Sequence, residues 1–318
     1  MSDTQPLGRS QLQVPRLGIG AMTWGAPAGW GRISPAKLAY GGAAGAEEEA
    51  RAFDASLAAG VTFFDTAALY GNGASERRLG ELCRGRTALI ATKFPPGMRA
   101  TAEDMPRALE ASLARLERST VDLYQHHYPS RRVDIKRLMA LMADAVDAGR
   151  IRAVGVSNYS AEQMRVAHAA LAERGIPLAS NQVQYSLLHR RPEINGVLDT
   201  CRGLGVTLIA YQPLASGALS GKYLGARPRG LRRFMPVFRR TRRGSVASVV
   251  AVLREIGARY GMGPTQVAIR WLMENDSVLP IPGAKNGSQA AANAQALSFR
   301  LSPDEVEAVD RATLAWRE

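Results

Sequence analysis

Eight short apolar runs of β type, separated by helix-like stretches, constrain this chain more than any other feature of its sequence. They are 16–21 (RLGIGA), 61–65 (VTFFD), 87–93 (TALIATK), 121–127 (VDLYQHH), 151–156 (IRAVGV), 179–184 (ASNQVQ), 206–211 (VTLIAY) and 277–281 (SVLPI). Between them apolar residues return at helical spacing: Met105, Leu109, Leu113 and Leu116 within 103–117, and Leu138, Leu141, Met142 and Ala145 within 134–148. Further helices are expected at 244–260, 264–275 and 302–315. The last opens on Ser302, Pro303 and Glu305, a capping box with proline in the first turn.

Strands that alternate with helices pair in parallel, because each crossover returns the chain to start the next strand in the same direction. Eight such units are the number that closes a barrel, so the pattern predicts an α/β fold, a (β/α)8 TIM barrel. An open doubly wound sheet is the alternative. A short amino-terminal segment with a turn at Gly8 reads as a hairpin ahead of the first strand. Two connections exceed what a barrel needs: 25–46 after the first strand and 212–243 after the seventh. Long loops in compact domains tend to carry function. No linker or low-complexity tract divides the chain, and residues 1–318 are expected to form one domain.

Composition narrows the possible functions. No apolar run approaches the ~18 residues needed to span a bilayer, and the amino terminus, MSDTQPLGRS, lacks an apolar signal core. Cys83 and Cys201 form no metal or redox motif and read as reduced structural thiols. Together these features give the expectation of a cytoplasmic protein without a metal. The net charge of +13 raises nucleic-acid binding, and much of it is concentrated in Arg227, Arg229, Arg232, Arg233, Arg239, Arg240, Arg242 and Arg243. A basic cluster is a footprint and not a fold. A loop that clamps a phosphorylated cofactor accounts for it better, so no nucleic-acid partner is expected.

In a parallel barrel, side chains at the carboxyl ends of the strands converge on one face. Asp65, Lys93 and His127 end three of the runs, and Tyr70 follows the first of them closely. A phenol beside an ammonium, with a carboxylate and an imidazole in reach, can protonate a carbonyl oxygen. A free phenol has a pKa of about 10, and a neighbouring ammonium is expected to lower it. Tyr70 is then the general acid, Lys93 its tuner, and Asp65 the group that holds Lys93 charged. Gly18 and Gly20 do not form a dinucleotide fingerprint: Thr23 stands at the third glycine position and no helix follows at once.

The segments FFDTAALYGNGASERRLG (63–80), ATKF (91–94), VDLYQHHYP (121–129), GVSNY (155–159), NQVQY (181–185), AYQPLASGALSGKY (210–223) and IPGAKNGSQAAAN (281–293) resemble the aldo-keto reductase superfamily. They cover nearly the whole chain in the family's order. The resemblance implies a TIM barrel that binds NADPH at its carboxyl face and reduces a small aldehyde or ketone without metal. It also selects between the adjacent histidines. The family's histidine precedes an aromatic and often a proline, which here marks His127, before Tyr128 and Pro129. Strand alternation sends His126 the other way, as a packed core histidine.

By the same resemblance, Ser157, Asn158 and Gln182 hold the nicotinamide carboxamide and Tyr211 stacks on its ring. Gln212 stands where serine is more usual, ahead of Pro213. Leu214, Ser216 and Gly217 wrap the pyrophosphate. Lys222 and Arg232 meet the phosphates, while Lys285, Gln289 and Asn293 occupy the adenosine-phosphate positions. Gln289 replaces the arginine of many members. Trp24, Trp30, Phe94 and Tyr128 suit an apolar substrate pocket for a planar aldehyde or cyclic ketone, or equally rim packing. The competing reading is an NADPH-binding regulatory subunit resembling the β-subunits of potassium channels. The oligomeric state is not legible.

Overall fold

A computed structural model of the protein describes residues 4–26, 45–95, 100–226, 228, 230–239 and 242–317. Strands β1 (Thr4–Pro6) and β2 (Gln13–Pro15) form an antiparallel hairpin. Gly8, with φ +59°, makes the turn, and a Cβ there would lie 2.4 Å from the Ala179 carbonyl oxygen. Eight strands follow: β3 (Gly18–Gly20), β4 (Phe63–Asp65), β5 (Leu89–Phe94), β6 (Val121–His126), β7 (Ile151–Ser157), β8 (Leu178–Gln184), β9 (Thr207–Tyr211) and β10 (Val278–Ile281). They pair in parallel in chain order from β3 to β10. A parallel bridge between Gly20 and Gly283 brings the two ends of the sheet together, with the Gly20 N–H donating to the Pro282 carbonyl at 3.0 Å. The expected (β/α)8 barrel is therefore present, nearly closed.

Glycine permits the closure. A Cβ on Gly18 would sit 2.7 Å from Phe63 Cδ1 and 3.0 Å from Ile281 Cγ2. The Gly18–Gly20 pair that fails as a nucleotide fingerprint is thus a packing device. Alternation along each strand divides the core in two. Phe63, Ala91, Leu123, Ala153, Ile209, Leu279 and Ile281 fill the barrel, and Leu7, Leu12 and Val14 of the hairpin plug its amino end. Ile90, Phe94, Tyr124, Val154 and Val156 face the surrounding helices instead.

Those helices are α1 (Ala46–Ala58), α2 (Ala74–Leu82), α3 (Met105–Leu116), α4 (Ile135–Asp147), α5 (Ala161–Ala172), α6 (Val197–Leu204), α7 (Arg243–Arg259), α8 (Pro264–Met273), α9 (Gly287–Ala294) and α10 (Pro303–Ala312). The capping box of α10 forms as expected, the Glu305 N–H donating to Ser302 Oγ at 3.2 Å and the Ser302 N–H to Glu305 Oε2 at 2.9 Å. Among the described residues no helix is long and apolar enough to cross a membrane. Most of the loop expected at 25–46 lies outside the described residues. Within 212–243, short 3₁₀ turns at Ala215–Ser220, Gly230–Phe234 and Pro236–Phe238 precede α7.

Candidate active site

The carboxyl ends of β4, β5 and β6 bring Asp65, Lys93 and His127 to one place, and the turn after β4 brings Tyr70 to them. Lys93 is fully buried and donates to Asp65 Oδ2 at 2.6 Å, to the Thr66 carbonyl at 2.7 Å and to Tyr70 Oη at 3.5 Å. Its ammonium also lies 5.0 Å over the Tyr70 ring. The His127 ring meets the Tyr70 ring edge-on at 5.7 Å and stacks on Tyr128 at 4.7 Å. His127 Nδ1 is buried without a hydrogen-bond partner among the described residues.

Asp65 has a second set of partners. Gln182 Nε2 donates to its Oδ1 at 2.7 Å and Gln125 Nε2 does so at 3.2 Å, while Gln182 also approaches Gln125 Oε1 at 3.4 Å. Gln125 is absent from the residues read from sequence. Its signal was available: it lies two positions before His127 in the same apolar run, and so on the same face. Gln182 spends its amide N–H on the tetrad, which leaves its carbonyl for any cofactor contact.

Burial and charge set the protonation states. Burial pushes the Tyr70 phenol well above its ordinary value, and the Asp65 charge adds to this. The expectation that Lys93 lowers the phenol is corrected here. Asp65 neutralises Lys93 at 2.6 Å, so the phenol faces a pair with little net charge while losing its water. Burial also lowers the Lys93 ammonium, against the opposing pull of Asp65. His127 is pushed down to about 2, by burial first and then by the charges of Lys93 and His126. It is a neutral imidazole throughout the physiological range.

His126 faces the helices. Its Nδ1 shares a hydrogen bond with the Tyr159 hydroxyl at 2.7 Å, and its ring packs on Phe94. Phe94 therefore leaves the set of pocket residues: on β5 the side chain before it, Lys93, points into the barrel, so Phe94 points out. Trp24 is 2% exposed, donates from its indole to the Ala284 carbonyl at 2.7 Å and packs on Phe64. It too is rim packing. Tyr128 is 43% exposed beside His127 and remains at the mouth, with Leu69, 51% exposed, before Tyr70. Trp30 lies outside the described residues.

The residues read as cofactor contacts adjoin the tetrad. Asn158 adopts φ +60° and donates to the His127 carbonyl at 3.1 Å and to Ser157 Oγ at 3.0 Å. Ser157 donates to the Gln182 carbonyl at 2.8 Å, and Tyr211 donates to Asn158 Oδ1 at 3.1 Å. Beyond β9 the backbone takes positive φ at Gln212, Ala215, Ser216 and Gly217, tightening the turn around buried Pro213 and half-buried Leu214. Arg232 donates to the Ser216 carbonyl at 3.3 Å and to the Tyr223 hydroxyl at 2.9 Å. Burial lowers the Lys285 ammonium, and the charges of Arg232 and Lys222 lower it further. Three cations from two loops thus converge. Gln289 caps the turn by accepting from the Lys285 N–H at 2.9 Å, and Asn293, buried, donates to the Gly283 carbonyl at 3.3 Å. No group of three or more potential metal ligands occurs among the described residues.

An inward-facing polar cluster at the carboxyl mouth of an eight-stranded parallel barrel defines an enzyme of the TIM-barrel class. The Aldo/keto reductase family model matches residues 16–313. An uncharacterised oxidoreductase of Mycobacterium tuberculosis is 38% identical over 309 residues, covering 96% of this chain and 91% of its own. An aldo-keto reductase of Schizosaccharomyces pombe whose name carries NADP(+) is 33% identical over 273 residues, 80% of this chain and 78% of that one. Among solved structures, the glycerol dehydrogenase of Gluconobacter oxydans matches with a TM-score of 0.80 at 25% identity, over 98% of this chain and 95% of that chain. The chain belongs to the aldo/keto reductase family and is an oxidoreductase.

Proposed function

We propose that this oxidoreductase reduces an aldehyde or ketone with NADPH, with Tyr70 as general acid supported by Lys93, Asp65 and His127. The observation that carries the reading is the Asp65–Lys93–Tyr70 chain of contacts at 2.6 and 3.5 Å, buried at the barrel mouth. A bound nicotinamide supplies the hydride. Tyr70, fully protonated at neutral pH, gives its phenolic proton to the carbonyl oxygen as negative charge gathers there. Lys93 then stabilises the phenolate left behind, a state in which its charge counts for more than it does beside the neutral phenol.

His127 acts as a neutral hydrogen-bond donor. Burial keeps that imidazole uncharged, so one ring nitrogen carries a proton that it can donate. Gln125 and Gln182 keep Asp65 turned toward Lys93. Ser157, Asn158, Gln182 and Tyr211 suit the nicotinamide, and Gln212, Pro213, Leu214, Ser216 and Gly217 suit the pyrophosphate. Asn293, Gln289 and the Lys222, Arg232 and Lys285 cations suit the adenosine and its phosphate. A dense cationic cluster with amide donors fits a cofactor bearing the extra 2′-phosphate better than one without it. That supports NADPH over NADH. The exposed Tyr128 and Leu69 offer an apolar rim to the substrate.

A panel of small aldehydes and ketones, followed by the loss of NADPH absorbance, tests the reading. Turnover of at least one class with NADPH, and slower turnover with NADH, is expected. A protein that binds NADPH and reduces nothing in the panel would instead favour a regulatory role.

A further inference from the structure

We propose that Tyr223 is a positioning residue that holds Lys222 and Arg232 together as a preformed receptor for the phosphates of a nucleotide cofactor. The inference rests on the cofactor reading above and adds to it a residue with no role there. Lys222 Nζ lies 4.9 Å over the Tyr223 ring and the Arg232 guanidinium 5.2 Å over the same ring. The phenol oxygen also accepts from Arg232 at 2.9 Å. One side chain therefore engages both cations, through its ring and through its hydroxyl.

Its surroundings fix that side chain. The Tyr223 ring meets Phe238 edge-on at 5.4 Å. It also lies against the left-handed turn: a Cβ on Gly217 would be 3.4 Å from Tyr223 Cε2. Arg232 reaches the same turn through the Ser216 carbonyl. Like charges brought close repel one another, and Lys285 stands close enough to feel both. An aromatic face offsets part of that repulsion, because its quadrupole attracts cations. The cluster is thereby held in place before a phosphate arrives, and the ordering that binding would otherwise require is already done.

Isothermal titration of wild type, Tyr223→Phe, Tyr223→Leu, Arg232→Ala and the Tyr223→Leu/Arg232→Ala double variant provides the test, with NADPH and inorganic pyrophosphate as probes. Tyr223→Leu should weaken NADPH about tenfold, and Tyr223→Phe by less, since it keeps the ring and loses only the hydroxyl. The double variant should lose less than the two single losses combined, because with Arg232 gone Tyr223 has only Lys222 left to act on. Losses that add, or a Tyr223→Leu protein that binds NADPH as tightly as wild type, would overturn the proposal. So would a wild type that binds neither probe. Failure of the carbonyl-reductase reading shows separately, as absent turnover in a wild type that still binds NADPH with this pattern of variants.

Discussion

The tetrad at the barrel mouth and the cations of the loop after β9 hold charge in opposite ways. Asp65 and Lys93 are almost wholly buried, touch at 2.6 Å, and have their remaining polar edges met by Thr66, Tyr70, Gln125 and Gln182. Lys222 is exposed and Arg232 half-buried, and a tyrosine ring and hydroxyl and a backbone carbonyl help to hold them. A buried ion pair is expensive to desolvate and rigid once made. Cations near the surface keep part of their hydration and are held by weaker contacts. On the proposed function, the fold builds the reacting groups into its core and leaves the binding of phosphate to a loop. Substitutions in the first region should strike rate and stability together. Those in the second should strike affinity alone.

Lys93→Met is the most damaging change expected. It leaves the Asp65 carboxylate buried without its cation, a loss worth about 3–5 kcal/mol. Turnover should fall by about 10²-fold or more with the loss of electrostatic support for the phenolate. Urea denaturation and single-turnover kinetics measure the two. A variant as stable as wild type would erase the contrast between the regions.

The two histidines sharpen it. His127→Ala should lower turnover by about 10²-fold, the worth of a donor aimed at a developing oxyanion. His126→Leu should leave turnover nearly unchanged. The structure adds a cost that alternation alone did not suggest: Tyr159 loses its partner in the core, at about 1–3 kcal/mol. The pH dependence differs as well. Burial holds His126 at about 4, below its ordinary 6.5, so as pH falls through that interval the unfolded chain takes up a proton that the folded chain refuses. Wild-type stability should therefore decline from about pH 6.5 toward pH 4 through this group, and His126→Leu should decline less. Thermal melts across that window decide it. Equal slopes would mean that His126 is not the group responsible.

In the loop the effects should be smaller and confined to binding. Arg232→Ala should weaken NADPH about tenfold or somewhat more, the worth of one charge-assisted hydrogen bond. The NADH loss should be smaller if Arg232 meets the 2′-phosphate. Arg239→Gln should change either affinity by no more than about twofold, because an exposed charge is screened by salt. Fluorescence titration of both cofactors measures all of these. A larger loss from Arg239→Gln than from Arg232→Ala would place the phosphate contacts further along the loop.

Much of this was legible in the sequence because it follows from period and position. The eight strands, the barrel and the convergence of Asp65, Lys93 and His127 come from apolar runs that end in polar residues. Alternation sent His126 and His127 to opposite sides and the resemblance chose between them; applied to β5 and β6, alternation would also have turned Phe94 outward and brought Gln125 inward. Other features depend on contacts that no local pattern encodes. The indole of Trp24 meets the Ala284 carbonyl across 260 residues. The direction of the Tyr70 shift depends on how far Asp65 neutralises Lys93, a matter of distances and burial. The pairing of Lys222 with Arg232 on one aromatic ring was hidden in a run of arginines whose spacing carries no period.

The most direct measurement compares wild type and Tyr70→Phe, each loaded with NADPH and mixed with an accepted aldehyde in a stopped-flow single turnover. The account predicts NADPH affinity within about twofold of wild type and hydride transfer slowed by about 10²–10⁴-fold, the range for a positioned general acid. A phenylalanine variant that transfers hydride at half the wild-type rate would contradict it, because the proton would then come from another group.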